Sequence, residues 1–306
     1  MKQKTLLGES LLLLTAFIWG AAFVAQRIGG DLIGPFTFNA IRMLIGGITL
    51  LPFIYFKNKK ESKEKEAINQ KNSNKTLLIG GILCGLVLFA ASNLQQIGLS
   101  YSTASKAGFI TALYIIIVPI IGIFLKKRPS IALWISIIIA LCGMYLLCIN
   151  EGFTIASEDL VLIVSSFTFS IHILVIDHFS PKVDGVKMSC IQFFVGSFLS
   201  TIIMFLVEKP EMSAILSAWM PILYTGVFSC GVAYTLQIVG QKRVSPFIAS
   251  LIMSMEAVFS ALGGWLILGE SLSSRELAGC FLLFFAIIIA QLPALKINKP
   301  QNKGVI

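Results

Sequence analysis

The feature that most constrains this chain is a recurrence of long, uninterrupted apolar runs, at 7–26, 36–56, 76–97, 104–125, 130–149, 157–178, 187–207, 219–239, 244–267 and 274–293. A hydrocarbon core about 30 Å thick is crossed by roughly 20 apolar residues in a helix, and that is the length of nearly every run. Lipid offers backbone N–H and C=O groups no partner, so a spanning segment is either a helix or a strand of a closed barrel. Barrel strands are shorter and alternate apolar with polar residues; these runs are continuous, and helices follow. With 56% apolar and 13% charged residues, a water-soluble domain of this length is excluded. The expectation is an all-α integral membrane protein with ten transmembrane helices.

Lys2 and Lys4 precede the first run as they would in a secretory signal, but no small-residue cleavage site follows and nine further runs do. That run is expected to be retained, with the mature chain starting near Met1. Cys84, Cys142, Cys148, Cys190, Cys230 and Cys280 fall in or beside apolar runs, with no CxxC spacing and no neighbouring histidine. They read as small hydrophobes, and no metal set or cofactor is expected.

The formal net charge of +9 would suit nucleic acid, but its placement does not. Alternating connections from a cytoplasmic N-terminus put Lys2 and Lys4, the lysines of "KNKKESKEKEAINQKNSNK" (57–75), "KKR" (126–128), Lys182, Lys187, Lys242, Arg243, Lys296, Lys299 and Lys303 on one side. Only Arg27, Arg42, Lys106, Lys209 and Arg275 are left for the other side or the membrane. This is the positive-inside pattern, with both termini cytoplasmic. The 57–75 linker reads as a solvated loop beside anionic lipid, with an interaction tail as the alternative.

An internal repeat emerges on shifting the chain against itself. A shift of 142 lays "AASNLQQIG" (90–98) over "VAYTLQIVG" (232–240) and pairs Tyr114 with Glu256. Upstream the shift is 150, pairing Glu9 with Asp159, Arg42 with Gln192 and Gly46 with Gly196. The difference falls between the second and third spans, where the lysine-rich linker lies. Two units of five spans, 1–150 and 151–306, must cross the membrane in opposite senses because five is odd. Such inverted repeats build a central cavity that is exposed to each side in turn, so transport is expected.

"AFIWGAAFVAQR" (16–27), "PFTFNAIRMLIGG" (35–47), "YSTASKAGFITALYIIIVPIIGIFLKKRPS" (101–130) and "SMEAVFSALGGWLILGESLS" (254–273) together resemble the EamA-type branch of the drug/metabolite transporter superfamily. The resemblance covers nearly the whole chain. It implies a bacterial-type inner-membrane carrier with two five-helix halves and a central cavity, exporting small metabolites, often amino acids. In one departure, members often carry Glu-Pro in the ninth span, whereas Ala257 follows Glu256 here, so a proline-permitted kink is missing.

Polar residues inside the spans are the candidate site. Glu256 lies about 18 Å along a helix from each end of the run 244–268, near the bilayer midplane. A carboxyl there binds a substrate amine or a coupling proton, with Tyr114 completing the site, or else it ties the ninth span to a neighbour. Arg42, roughly 10 Å below the outer surface, is a carboxylate clamp, or it snorkels or serves as a structural hub. Trp19, at similar depth, stacks on substrate or packs in the core. Gln95, with Asn93 and Gln96, and Gln237 either line the cavity or bond helix to helix. Lys106 reaches the cavity or anchors at the interface, and His172 carries protons or is structural. Gly81xxxGly85, Ala257xxxAla261 and Ser260xxxGly264 permit close helix approach.

No HExxH, GxSxG, Walker lysine or paired intramembrane carboxylate is present, so an enzyme is not expected. The connections are too short for a nucleotide-binding domain, which excludes an ATP-driven pump. A nucleotide-sugar or phosphate-ester carrier would need several cavity cations, and the sequence offers chiefly Arg42 and Lys106. A receptor or membrane scaffold remains a further alternative.

Overall fold

Apolar runs in lipid satisfy their backbone within themselves, and the described residues of this chain do so chiefly as helices. The computed structural model describes residues 2–61, 70–102, 104–148, 159–268 and 273–291, and every regular element among them is helical. In chain order these are α1 (Lys2–Leu32), α2 (Pro35–Glu61), α3 (Gln70–Ser100), α4 (Ala104–Thr111), α5 (Tyr114–Phe124), α6 (Ile131–Cys148) and α7 (Asp159–Phe179). There follow α8 (Gly185–Val207), α9 (Met212–Ser217), α10 (Trp219–Tyr224), a π-helical stretch (Thr225–Tyr234), α11 (Thr235–Gln241), α12 (Pro246–Met253), α13 (Glu256–Leu268) and α14 (Ser274–Gln291).

Among the described residues, seven stretches are long and apolar enough to cross a membrane: Thr5–Leu32, Pro35–Lys59, Asn74–Ser100, Lys106–Phe124, Asp159–Phe179, Gly185–Val207 and Trp219–Gln241. Ile131–Leu147 and Pro246–Leu262 are shorter apolar helices. The surface carries Phe53, Phe124, Phe205, Leu206 and Phe281 fully in the open, while Asn39, Arg42, Asn93, Gln95, His172, Gln192, Gln237 and Glu256 are buried. A largely apolar outer surface, with polar side chains kept inside among a core of apolar ones, fits lipid as the solvent. The chain is a multi-pass membrane protein.

Three of the expected runs are interrupted. Run 104–125 breaks at 112–113, run 219–239 carries the π-helical stretch, and run 244–267 breaks at 254–255, just before Glu256. The missing proline is not needed for that last break. Ser254 Oγ donates to the Leu251 carbonyl at 2.7 Å, and the Met255 N–H turns to Ile252 rather than to Leu251. Side-chain hydroxyls that compete for the ladder bend helices in this way. The polar linker also departs from a plain loop: α2 runs on to Glu61 and α3 starts at Gln70, since Lys, Glu and Gln are good helix formers. Residues 62–69 lie outside the described residues, as do 149, 157–158 and the chain beyond Gln291.

Small residues set the helix contacts. A methyl group on Gly81 would come within 2.6 Å of Ile191, and one on Gly85 within 2.6 Å of Val195, so Gly81xxxGly85 seats α3 on α8. Gly143 and Gly279 each face the other's carbonyl where α6 lies along α14. Helices α2 and α8 pack along one another and are tied at both ends. At one end Glu208 accepts from the N–H groups of Phe36 and Thr37 and from the Thr37 hydroxyl, capping α2. At the other, Asp184 caps α8 through Val186 N–H and Lys187 N–H and pairs with Lys57 from α2. Burial alone would raise the Asp184 carboxyl, but Lys57 and those two N–H groups outweigh it and hold it below the usual carboxylate range.

Candidate functional site

The breaks before Tyr114 and before Glu256 are 142 residues apart and share one hydrogen-bonding pattern. Leu113 N–H goes to Ile110 and Ile115 N–H to Ala112; Met255 N–H goes to Ile252 and Ala257 N–H to Ser254. Each break ends at the first residue of the following helix, so Tyr114 opens α5 and Glu256 opens α13. The two side chains meet: Tyr114 Oη donates to Glu256 Oε1 at 2.9 Å, both groups being buried.

A small cavity surrounds this pair. Helix α1 contributes Trp19, Phe23 and Gln26 from one face, α2 Arg42, α3 Gln95, α4 Thr111, α7 Phe169 and the π-helical stretch Ser229 and Tyr234. The spacing of Trp19, Phe23 and Gln26 is the i, i+4, i+7 stripe of a single helix face. A widened π turn at this point agrees with the frequent use of such turns at functional sites. The cavity measures about 30 Å³, room for a water or two but not for a metabolite, so substrate entry requires the surrounding helices to part.

The electrostatics are unusual for a closed interior. Arg42 is 2% exposed, and among the described residues no carboxylate lies within ion-pairing distance of it. Its Nε donates to Asn39 Oδ1 at 2.7 Å, Asn39 Nδ2 donates to Asn93 Oδ1 at 3.1 Å, and Asn93 Nδ2 donates to Ser200 Oγ at 3.0 Å. That chain holds the guanidinium in place beside the cavity, 5.4 Å from the Phe38 ring centre. Trp19 packs against Tyr234 with ring centres 4.7 Å apart and planes tilted by 60°, and its Nε1 has no partner; neither does Gln26 Oε1. Each unpartnered buried atom costs about 1–3 kcal/mol, which a ligand or water in the cavity would offset. The cavity thus offers a cation, a carboxyl, a free N–H donor, a free amide acceptor and aromatic walls.

Five of the seven expected residues, Glu256, Tyr114, Arg42, Trp19 and Gln95, line this one cavity. Gln95 reaches Thr111 Oγ1 only at 3.5 Å. Gln237 is buried elsewhere on α11 with Oε1 unpartnered. Lys106 does not reach the cavity lining; it pairs with Asp159 at 2.6 Å, at the start of α7. Phe23, Gln26, Thr111, Phe169, Ser229 and Tyr234 were not expected. For Phe169 the signal was present, since the 150-residue shift places it on Trp19.

The model of the EamA-like transporter family matches residues 6–149 and again 156–291. The chain belongs to the EamA-like transporter family. It is 30% identical over 296 residues to an uncharacterized transporter of Archaeoglobus fulgidus, covering 94% of this chain and 87% of the relative. It is 22% identical to the uncharacterized inner membrane transporter YedA of Escherichia coli K12, over 90% of this chain and 87% of that one. YoaV of Bacillus subtilis, an uncharacterized transporter, is 21% identical over 94% and 96% of the two chains. A solved crystal structure superposes with a TM-score of 0.77 at 19% identity, covering 96% of this chain and 98% of that one, a likeness of fold.

Proposed function

We propose that this membrane transporter is a secondary carrier of small zwitterionic metabolites of the amino-acid type, working by alternating access. The observation that carries the reading is the cavity itself. Glu256 with Tyr114, and Arg42 with no carboxylate beside it, face one small space between aromatic walls. Arg42 binds the substrate carboxylate, Glu256 its ammonium group or a coupling proton, and Trp19, Phe169 and Tyr234 its side chain. A phosphate ester or nucleotide sugar is less well served, because Arg42 is the one cation among the lining residues.

In this reading ten spans form two inverted repeats, 1–150 and 151–306, with both termini cytoplasmic. The pattern of helix neighbours supports it. Exchange of the halves maps α3 beside α7 onto α1 beside α11, α1 beside α13 onto α5 beside α7, and α2 beside the π-helical stretch onto α3 beside α8. Pairs α2–α8 and α6–α14 map onto themselves, as elements astride a two-fold axis do. A two-fold in the membrane plane gives two gates related by rotation, one towards each side of the membrane. Export is the direction that family resemblance favours.

Counterflow in proteoliposomes with radiolabelled amino acids, polyamines and sugars tests the reading. Exchange of at least one amino acid is expected; exchange of polyamines or sugars alone would overturn it.

A further inference from the structure

Behind Tyr234, away from the cavity, lies a second buried polar cluster that the reading above leaves unused. Ser189 is its hub: Thr235 Oγ1 donates to Ser189 Oγ at 2.8 Å and Gln192 Nε2 to the same oxygen at 3.4 Å. Gln192 Oε1 lies 3.1 Å from His172 Nε2, while His172 Nδ1 has no partner although the residue is fully buried. The Tyr234 ring stands between the two regions, 4.7 Å from Trp19 and 6.0 Å from His172.

The triangle formed by Ser189, Gln192 and Thr235 repeats that of Asn39, Arg42 and Asn93. Around Asn39, Arg42 Nε donates to Oδ1 and Nδ2 donates to Asn93 Oδ1; around Ser189, Gln192 Nε2 and Thr235 Oγ1 both donate to Oγ. The shift of 150 carries 39 to 189 and 42 to 192, and the shift of 142 carries 93 to 235. The side chains differ at all three positions and one bond runs in the other direction while the connectivity is kept, so the correspondence follows from the placement of the halves rather than from shared composition.

We infer that His172, Gln192, Ser189 and Thr235 form a second substrate-contacting station, which holds the polar head of an amino acid when the carrier faces the side opposite to the Arg42 cluster. The inference rests on the alternating-access reading above. Exchange of the halves' conformations brings Gln192 to the cavity as Arg42 is brought to it here. His172 Nδ1, an unpartnered buried nitrogen of a kind that needs an explanation, then gains a ligand partner. Because a guanidinium bonds a carboxylate about twice as strongly as a neutral amide does, the carrier grips the acidic group more tightly from the Arg42 side than from the Gln192 side.

The test uses the full chain in right-side-out and inside-out vesicles, with the amino acid that shows the fastest counterflow as probe. Gln192→Leu and His172→Phe should raise the half-saturating concentration about fivefold from the Gln192 side, as for loss of one hydrogen bond, and leave it unchanged from the other. The exchange Arg42→Gln with Gln192→Arg should reverse which side binds more tightly. Equal changes on both sides, or none, would overturn the station. If those variants do not fold, Ser189→Ala and Thr235→Val are read in the same way. Independently of any substrate, in a cysteine-free background Ser189→Cys should react with an impermeant thiol reagent in one vesicle orientation and Asn39→Cys in the other. Ser189→Cys unreactive from both sides would refute the station, whereas normal labelling without counterflow of any amino acid would refute only the substrate class.

Discussion

Gly34 and Glu208 define a coupled pair whose energetics follow from the structure. Glu208 accepts from Phe36 N–H at 2.9 Å, Thr37 N–H at 2.8 Å and the Thr37 hydroxyl at 2.6 Å, at the N-terminus of α2. Loss of a helix cap costs about 1 kcal/mol, and loss of an anion beside the helix dipole a further ~0.5 kcal/mol. Charge-assisted bonds in a half-buried setting bring the expected cost of Glu208→Ala to about 2 kcal/mol. Glu208→Gln keeps one acceptor oxygen and should lose about half of that. A Cβ on Gly34 would stand 2.4 Å from Glu208 Cδ, so Gly34→Ala evicts the carboxylate and should cost a similar amount. With Glu208 already truncated, the methyl group has nothing to displace, and the double variant should be little worse than Glu208→Ala alone. Denaturant unfolding of the four proteins in micelles measures the coupling, expected near 2 kcal/mol. Additivity within about 0.5 kcal/mol would refute the coupling.

Arg42→Gln imitates its counterpart Gln192 and keeps the bond to Asn39; it should weaken carboxylated substrates about tenfold, for loss of a charge-assisted pair, with expression near normal, as competition in counterflow will reveal. For orientation, a cysteine at Ser130, next to "KKR", should resist an impermeant thiol reagent added to intact cells, and labelling from outside would reverse the topology. Asp184 has a folded pKa held below its ordinary value of 3.8, so its contribution to stability is present above pH 3.8 and fades as pH falls through the depressed value. The stability gap between the wild type and Asp184→Asn should therefore be full at pH 7 and close in strong acid; a gap that widened on acidification would contradict the assignment.

The helical membrane architecture was legible because apolar runs of spanning length have few other uses. The meeting of Tyr114 with Glu256 was legible for a different reason: the 142-residue shift paired the two, and each opens a helix after the same kind of break, where their side chains meet. Where sequence reasoning went astray, the cause was local chemistry. A kink beside Glu256 was expected to be missing for want of a proline, yet the helix breaks there as Ser254 competes for a backbone carbonyl. Lys106 was a candidate because it is a cation near a span end, and nothing on its own helix revealed that Asp159 waits across the gap. Gln26, Ser229 and Tyr234 carried no signal of their own, since an amide, a serine and a tyrosine are ordinary helix residues until the packing turns them to the cavity.

The role proposed for the Glu256 carboxyl is tested most directly by transport through Glu256→Gln. The substitution keeps the size of the side chain and an oxygen to accept from Tyr114 Oη, so the purified variant should fold and unfold like the wild type. It removes the group proposed to hold an ammonium or a proton. Counterflow of the amino-acid probe measured across a range of pH should then be abolished, or should persist with its pH dependence gone. Transport at the normal rate with an unaltered pH profile would make Glu256 a structural tie between α5 and α13 and contradict the proposed site.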